Sequence, residues 1–362
     1  MRYRDSSTYF RRAVYATLLC LILFNLWLGF GAGQESRSSS ESEVERPFSG
    51  IKLVWAWSVD PAKSVDSVVA QAQDMGFNAV GWSNPEVVQA CRKRQMKAFA
   101  LISPLSLQRE GALPQVLAEG EDKLPGFNRS MDDPGYPFQH GGEPVPGNRE
   151  VLHLNLACPR DPGVIAYGVE EAIRYDRLGY DGICWDFIGY RNYRSCECER
   201  CRATLASLQS GQAVSPEAFY LSSLTGLYSR LYSETKRSAP ELLIATHIYP
   251  VYLPNIHYGK KVWADYCSET VAWFFQPHWP FEKIRDYARQ TLSSSNEFER
   301  MEAMPMIGFY GDGQFRRDQK DPGRLELELR ILRLEGAKHL MICELGHLLR
   351  NPAAMKVVKK SL

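Results

Sequence analysis

The chain has 362 residues, with 43 Lys and Arg against 42 Asp and Glu, a formal charge of +1. That balance lacks the basic excess by which a nucleic-acid-binding surface is normally recognised, so no nucleic-acid partner is expected. Hydrophobic residues at 44% and aromatics at 12% are ample for a large core and for a pocket that stacks on flat ligand faces.

Arg2, Arg4, Arg11 and Arg12 precede an apolar run over residues 13–30, which ends in the small residues Gly31, Ala32 and Gly33. A run that is apolar on every face reads as a secretory signal or a single membrane anchor, here residues 1–33. Either reading leaves the arginines inside and the rest of the chain outside the cytoplasm, secreted or tethered. Membrane contact is expected through this segment alone. Residues 34–47 are rich in Ser and Glu with almost nothing to bury, and read as a disordered tether. Residues 48–362 read as one domain. The sequon Asn128-Arg129-Ser130 is a glycan site in a eukaryotic host and otherwise a chance match.

From residue 51 onward, short apolar strands alternate with amphipathic helices. Residues 51–57 form the first strand, and Asp60-Pro61 reads as an N-cap with a first-turn proline for a helix reaching Met75, where Gly76 ends it. Residues 77–82 form the second strand and 85–94 its helix; residues 96–102 form the third. A Gly-, Pro- and Asp-rich loop over 103–149 is long enough to be functional or disordered. The chain returns at 151–157, and a helix covers 162–178. The fourth strand is 181–188, and helical pattern dominates 199–236 with a break at 210–215. The fifth strand is 242–248 and the sixth 271–276, followed by a helix over 282–292. The seventh is 304–310 with a helix over 323–335, the eighth 339–344, and Asn351-Pro352 caps a final helix.

Eight strands, each followed by a helix or a helix-sized segment, predict an α/β fold, a (β/α)8 TIM barrel. A doubly wound open sheet is the competing architecture. It is disfavoured because no Gly-rich phosphate loop follows the first strand, where Val54-Trp55-Ala56-Trp57-Ser58-Val59-Asp60 stands instead.

The most informative stretch is residues 180–201. A short apolar strand ends there at a carboxylate, Asp186, a common catalytic arrangement in a parallel barrel. With Asp186 pointing to the barrel axis, Gly182 and Cys184 share its side while Ile183 and Trp185 face the helices. Capping of its own loop, or pairing with Arg191 or Arg194, is the structural alternative. Cys196, Cys198 and Cys201 follow as Cys-x-Cys-x-x-Cys, three thiols in six residues that suit a tetrahedral Zn²⁺. The fourth ligand is expected from Cys158, whose loop opens on the same barrel face. Cys20 lies in the leader, and the remaining eight cysteines keep the alternative of a disulfide from Cys158 to one of the three.

Cys-Pro-x-x-Pro before a helix, a strand ending in an acid, then Cys-x-Cys-x-x-Cys: over residues 152–203 the sequence resembles the family-42 glycoside hydrolases. The resemblance implies a (β/α)8 β-galactosidase scaffold with a structural zinc held by cysteines. Two departures separate this chain from that family. The strand-four acid there is Glu preceded by Asn, against Asp186 preceded by Trp185 here. The nucleophile there is a Glu ending strand seven, where this chain reads Gly308-Phe309-Tyr310-Gly311-Asp312.

Glycoside hydrolysis uses two carboxyl groups across the sugar. Asp186 is expected as general acid/base. Glu344, closing the eighth strand, is the expected partner, because a charge after so apolar a run is costly to bury unpaired. Asp312 is the second choice, since its Gly-Asp-Gly setting equally suits a turn. Trp55 and Trp57 after strand one, Trp82 after strand two, His247 and Tyr249 at strand five, Gln276 and His278 at strand six, and Tyr310 at strand seven are expected to bind the sugar. Singly, each fits a packed core residue as well; their recurrence at strand ends is the signal. His347 stands near enough in sequence to orient Glu344. The leading expectation is therefore a glycoside hydrolase acting on an oligo- or polysaccharide. The alternative is a non-catalytic carbohydrate-binding barrel that has lost its nucleophile. An amidohydrolase-type metal enzyme would need His-x-His on strand one, where Trp55-Ala56-Trp57 stands.

Overall fold

The structure, a computed structural model, describes residues 44–119, 156–186, 188–190, 195–248, 262–272, 278–293, 301–309 and 320–362. The chain divides into Met1–Val44 and one compact unit, Glu45–Leu362. The expected leader, the tether up to residue 43 and the sequon lie outside the described residues. No helix among the described residues is long and apolar enough to cross a membrane.

Glu45–Leu362 is a closed parallel barrel with helices between its strands. The elements run β1 (Lys52–Trp55), α1 (Val65–Asp74), β2 (Ala79–Gly81), α2 (Glu86–Arg92), β3 (Lys97–Ile102), α3 (Gly163–Arg177) and β4 (Gly182–Trp185). They continue with α4 (Glu199–Gly211), α5 (Pro216–Ser238), β5 (Leu243–Ile248), β6 (Tyr266–Ala272), α6 (Phe281–Leu292), β7 (Glu302–Ala303) and β8 (Met306–Gly308). Helix α7 (Pro322–Leu334), β9 (Leu340–Cys343), α8 (Leu345–Leu349) and α9 (Pro352–Ser361) complete the chain. Both β7 and β8 pair with β6, so they form one stave, the seventh of eight. The sheet closes through Trp55 opposite Cys343 and His247 opposite Ser268. The closed order, without the free edges of an open sheet, is the (β/α)8 arrangement and rules out the doubly wound alternative.

The strands are buried on both faces, which is why they read as continuous apolar runs rather than alternating ones. Ser64, Ser215, Asp321 and Asn351 cap α1, α5, α7 and α9 through their side chains. Helix α1 therefore starts four residues later than Asp60-Pro61 suggests, at Val65; the Asp60 carboxylate instead accepts from the amide of Ala62 at 2.9 Å in a turn. A Cβ on Gly182 would sit 2.4 Å from the Phe99 ring and 2.8 Å from the carbonyl oxygen of Leu243, so the start of β4 needs glycine for these neighbours to close in.

The sixth strand differs most from the sequence reading. It spans Tyr266–Ala272, not 271–276, and residues 273–277 lie outside the described set. Polar residues hide it. Ser268 donates to the Met341 sulfur of β9 at 3.3 Å; β6 and β9 are not neighbours, so this contact crosses the barrel interior. Glu269, on the opposite side, accepts from Thr291 of α6 at 2.9 Å. Buried polar positions that find partners leave no apolar run to detect.

At the N-terminal end of the barrel, His339 joins three elements. Its Nδ1 accepts from the amide of Ile51 at 2.8 Å, which leaves the proton on Nε2 to donate to Glu302 at 2.8 Å. Lys338 also donates to Glu302 at 2.7 Å. The lysine first, then the histidine, hold the Glu302 carboxyl below its ordinary range. Its folded-state value lies below the unfolded one, so its contribution to stability is full at pH above the unfolded carboxylate range and is lost as pH falls through the folded value. Glu302→Gln is accordingly expected to flatten the acid limb of the stability curve below about pH 5, measured as the urea midpoint against pH; an unchanged limb would count against this linkage.

Candidate active site

Strand β4 delivers Asp186 to the C-terminal mouth of the barrel, where its amide donates to the Ile102 carbonyl at 2.9 Å. The carboxylate is almost fully buried yet lines a cavity of about 430 Å³. The other described walls are Ala56, Trp57, Trp82, Ser83, Asn84, Leu101 and Ser103, all from the ends of β1, β2 and β3. Trp57 is 43% exposed and Trp82 half-buried, so two indoles and one carboxylate share one opening. Ser83, Asn84 and Ser103 were missed in the sequence. The strand-end rule that found Trp82 extends to them, since each follows directly on β2 or β3.

His247, expected at the sugar, is not on the described wall of this cavity. It is fully buried in β5; its Nδ1 lies 2.9 Å from Asp186 Oδ1 and its Nε2 lies 2.7 Å from Thr270 Oγ1. The pair suits Asp186 in either protonation state. Ionised, the carboxylate accepts from Nδ1–H while Nε2 accepts from the threonine hydroxyl. Protonated, the carboxyl donates to Nδ1 while Nε2–H donates to Thr270. Trp55, also expected at the sugar, is fully buried instead, and packs edge-on against His247 with ring centroids 5.0 Å apart. It walls the imidazole, not the cavity. Cys184 and Cys343 complete the surroundings. Burial, and then the neighbouring carboxylates, push both thiols well above their ordinary range and keep them protonated.

Glu344 is fully buried, and its carboxylate is committed elsewhere. It caps α8, accepting from the amides of His347 at 2.9 Å and Gly346 at 3.0 Å. It also accepts from the Ser58 amide at 3.2 Å and from the Ser58 hydroxyl. His347 Nε2 approaches it at 3.5 Å. Glu344 is absent from the described cavity wall. His278 is six residues past the end of β6, just before α6, and it too is absent from the described wall. Asp312, Tyr249, Gln276 and Tyr310 lie outside the described residues.

The sulfur atoms of Cys158, Cys196, Cys198 and Cys201 all lie within 4.8 Å of one another. Cys158 to Cys201 is 3.4 Å and Cys158 to Cys198 is 3.7 Å. A tetrahedral Zn²⁺ with bonds of about 2.3 Å sets its sulfurs roughly 3.8 Å apart, and a disulfide about 2.05 Å, so the spacing fits four ligands on one ion and not a bonded pair. All eight described cysteines are free thiols. Within the cluster, hydrogen bonds from Cys158 and Cys201 hold the Cys196 thiol below its ordinary range, while those two thiols are pushed up. The surrounding backbone ties loops together: the Cys158 amide donates to Leu113 at 2.7 Å and the Glu197 amide to Val116 at 2.7 Å. Gln115 donates to the carbonyls of Ala157 at 3.1 Å and Gly189 at 2.8 Å. The cluster thus sits where the loops after β3 and β4 meet.

No protein-family model matches the chain, and no curated protein matches it. Among solved structures, it is similar to a β-galactosidase from Bacillus circulans sp. alkalophilus, with TM-score 0.55 and 13% identity over 87% of this chain and 55% of that one. It is similar to the PgaB (BpsB) glycoside hydrolase domain from Bordetella bronchiseptica, with TM-score 0.50 and 12% identity over 85% of this chain and 98% of that one. It is also similar to α-L-fucosidase isoenzyme 2 from Paenibacillus thiaminolyticus, with TM-score 0.54 and 13% identity over 86% and 48%. The chain spans about half the length of the galactosidase and the fucosidase. At these identities the likeness is one of fold: a TIM barrel of the kind on which glycoside hydrolases are built.

Removal of the imidazole tests the buried pair. His247→Leu removes the imidazole from the Asp186 carboxylate and is expected to cost about 3 kcal/mol. Urea unfolding reads the loss; an unchanged midpoint would contradict the pairing.

Proposed function

We propose that the chain is a glycoside hydrolase-like enzyme with Asp186 as its general acid/base. The observation that carries this reading is one acid, delivered by β4 to the mouth of a parallel barrel, hydrogen-bonded to His247 and sharing a cavity of about 430 Å³ with two indoles. The substrate is an oligo- or polysaccharide. The Trp57 and Trp82 faces take the apolar faces of a pyranose, and Ser83, Asn84 and Ser103 offer hydrogen bonds to its hydroxyls.

In this reading Asp186 begins protonated. Its proton passes to the glycosidic oxygen as the C–O bond breaks and positive charge develops at the anomeric carbon. The carboxylate left behind accepts Nδ1–H of His247, whose Nε2 then accepts from Thr270. A buried base is thus held by hydrogen bonds while it is charged, and it can next deprotonate the incoming water. Of the two expected partners, Glu344 has four donors on its carboxylate. That leaves Asp312, outside the described residues, as the partner this reading assigns. The Asp in place of the family's Glu at strand four sets the chain beside the family-42 enzymes rather than within them. The Arg-flanked run over 13–30 supports export or tethering.

The same reading gives Cys158, Cys196, Cys198 and Cys201 one structural Zn²⁺, supported by the convergence of their sulfurs. All four are protein ligands, so the ion has no open position for chemistry and serves to hold the loops after β3 and β4.

A non-catalytic sugar-binding barrel is the second reading. It is favoured by one fact: Asp186 is the sole carboxylate among the described residues of the cavity wall. Asp186→Asn on a panel of nitrophenyl glycosides and glycans separates the two. The catalytic reading expects turnover to fall by about 10²-fold or more, the usual worth of a positioned acid/base. Unchanged turnover excludes Asp186 as the acid, and binding without hydrolysis by the unmodified chain supports the second reading. For the metal, about one zinc per chain is expected, lost or sharply reduced in Cys198→Ser; undiminished zinc by elemental analysis refutes the site.

A further inference from the structure

Every polar atom of Ser58 is held by the segment after β9. Its amide donates to Glu344 Oε2 at 3.2 Å, and its hydroxyl donates to Glu344 Oε1. Its carbonyl accepts from Arg350 Nη1 at 2.7 Å, and its hydroxyl oxygen from Arg350 Nη2 at 3.1 Å. The two backbones approach so closely that a Cβ on Gly346 would sit 2.3 Å from the Ser58 carbonyl oxygen and 2.6 Å from its carbon. The residue before it is Trp57, whose indole stands 43% exposed on the wall of the Asp186 cavity.

The segment from Glu344 to Arg350 closes on that one residue by three separate means: an acceptor, a donor and a missing side chain. An exposed indole on an unsecured loop would have to be ordered each time a ligand binds, and ordering a side chain and its loop draws on the binding energy. We infer that Glu344, Gly346 and Arg350 form a clamp on Ser58 that fixes the Trp57 indole as a stacking platform. Glu344 is then a positioning residue for the ligand rather than a reacting carboxylate. This rests on the cavity being a sugar site. It adds that the last strand of the barrel, through the first, sets how well the sugar is gripped.

The test uses the full chain labelled with fluorotryptophan, the Trp57 resonance being identified by its loss in Trp57→Phe. Gly346→Ala and Arg350→Ala lie far from Trp57 in sequence, and each is expected to shift and broaden the Trp57 line. The line of Trp263, which precedes β6 at the other end of the barrel, stays in place. Arg350→Lys, able to keep one of the two bonds, gives a smaller shift. A Trp57 line unmoved in both substitutions overturns the clamp. On any nitrophenyl glycoside that the unmodified chain hydrolyses, the two substitutions raise KM about ten-fold with kcat within about two-fold, the pattern of lost ground-state binding. A Glu344→Gln variant whose kcat collapses at unchanged KM overturns the positioning role. If no glycoside is hydrolysed, the catalytic reading fails and the fluorine spectrum still decides the clamp.

Discussion

The site depends on one contact, the hydrogen bond between Asp186 and His247. A carboxylate pulled almost completely out of water is tolerated only with a partner, and β5 supplies it beside β4. The imidazole needs a second partner for its other nitrogen, and Thr270 on β6 provides it. Three consecutive strands are thereby committed to polar residues on their inward face. That commitment explains why β6 carries Thr270 where a barrel interior would otherwise hold Val or Ile. The chemistry at the mouth and the composition of the core are set together.

Two carboxylates at strand ends meet opposite fates, and burial does not distinguish them. Asp186 and Glu344 both follow short apolar strands and are both almost wholly inaccessible. What differs is the chain that comes next. After Glu344 a helical turn folds back at once, so its own amides and those of Ser58 saturate the carboxylate. Past Asp186 the described residues 188–190 form no helix, and the acid meets a side chain and a cavity. The two buried acids thus differ in what surrounds them: four donors, three of them backbone amides, close on Glu344, whereas Asp186 meets an imidazole and a cavity.

This difference also marks how far the sequence could be read. The eight-stave barrel, Asp186, Trp57, Trp82 and the four cysteines were legible, because each signal is local: an apolar run and its terminus, or a spacing of thiols. The sixth strand was not, since Ser268, Glu269 and Thr270 are buried polar residues whose partners lie on other elements. The role of His247 was hidden for the same reason. Its strand-end position fits a sugar contact, and only the closed barrel brings Asp186 and Thr270 to its two nitrogens. For Glu344 the rule that a buried charge needs a partner was sound. Its partners were the next amides in the chain, of Gly346 and His347, and Ser58, at the other end of the sequence, which no local pattern announces.

The described walls of the cavity all come from the ends of the first four strands, between Ala56 and Asp186. They are therefore contiguous in the gene. A recombination event that exchanged this stretch between related barrels would transfer the acid and its indoles as one heritable block. The imidazole that supports the acid would stay behind on β5. Such a chimera would combine one parent's cavity wall with the other's partner for its buried carboxylate.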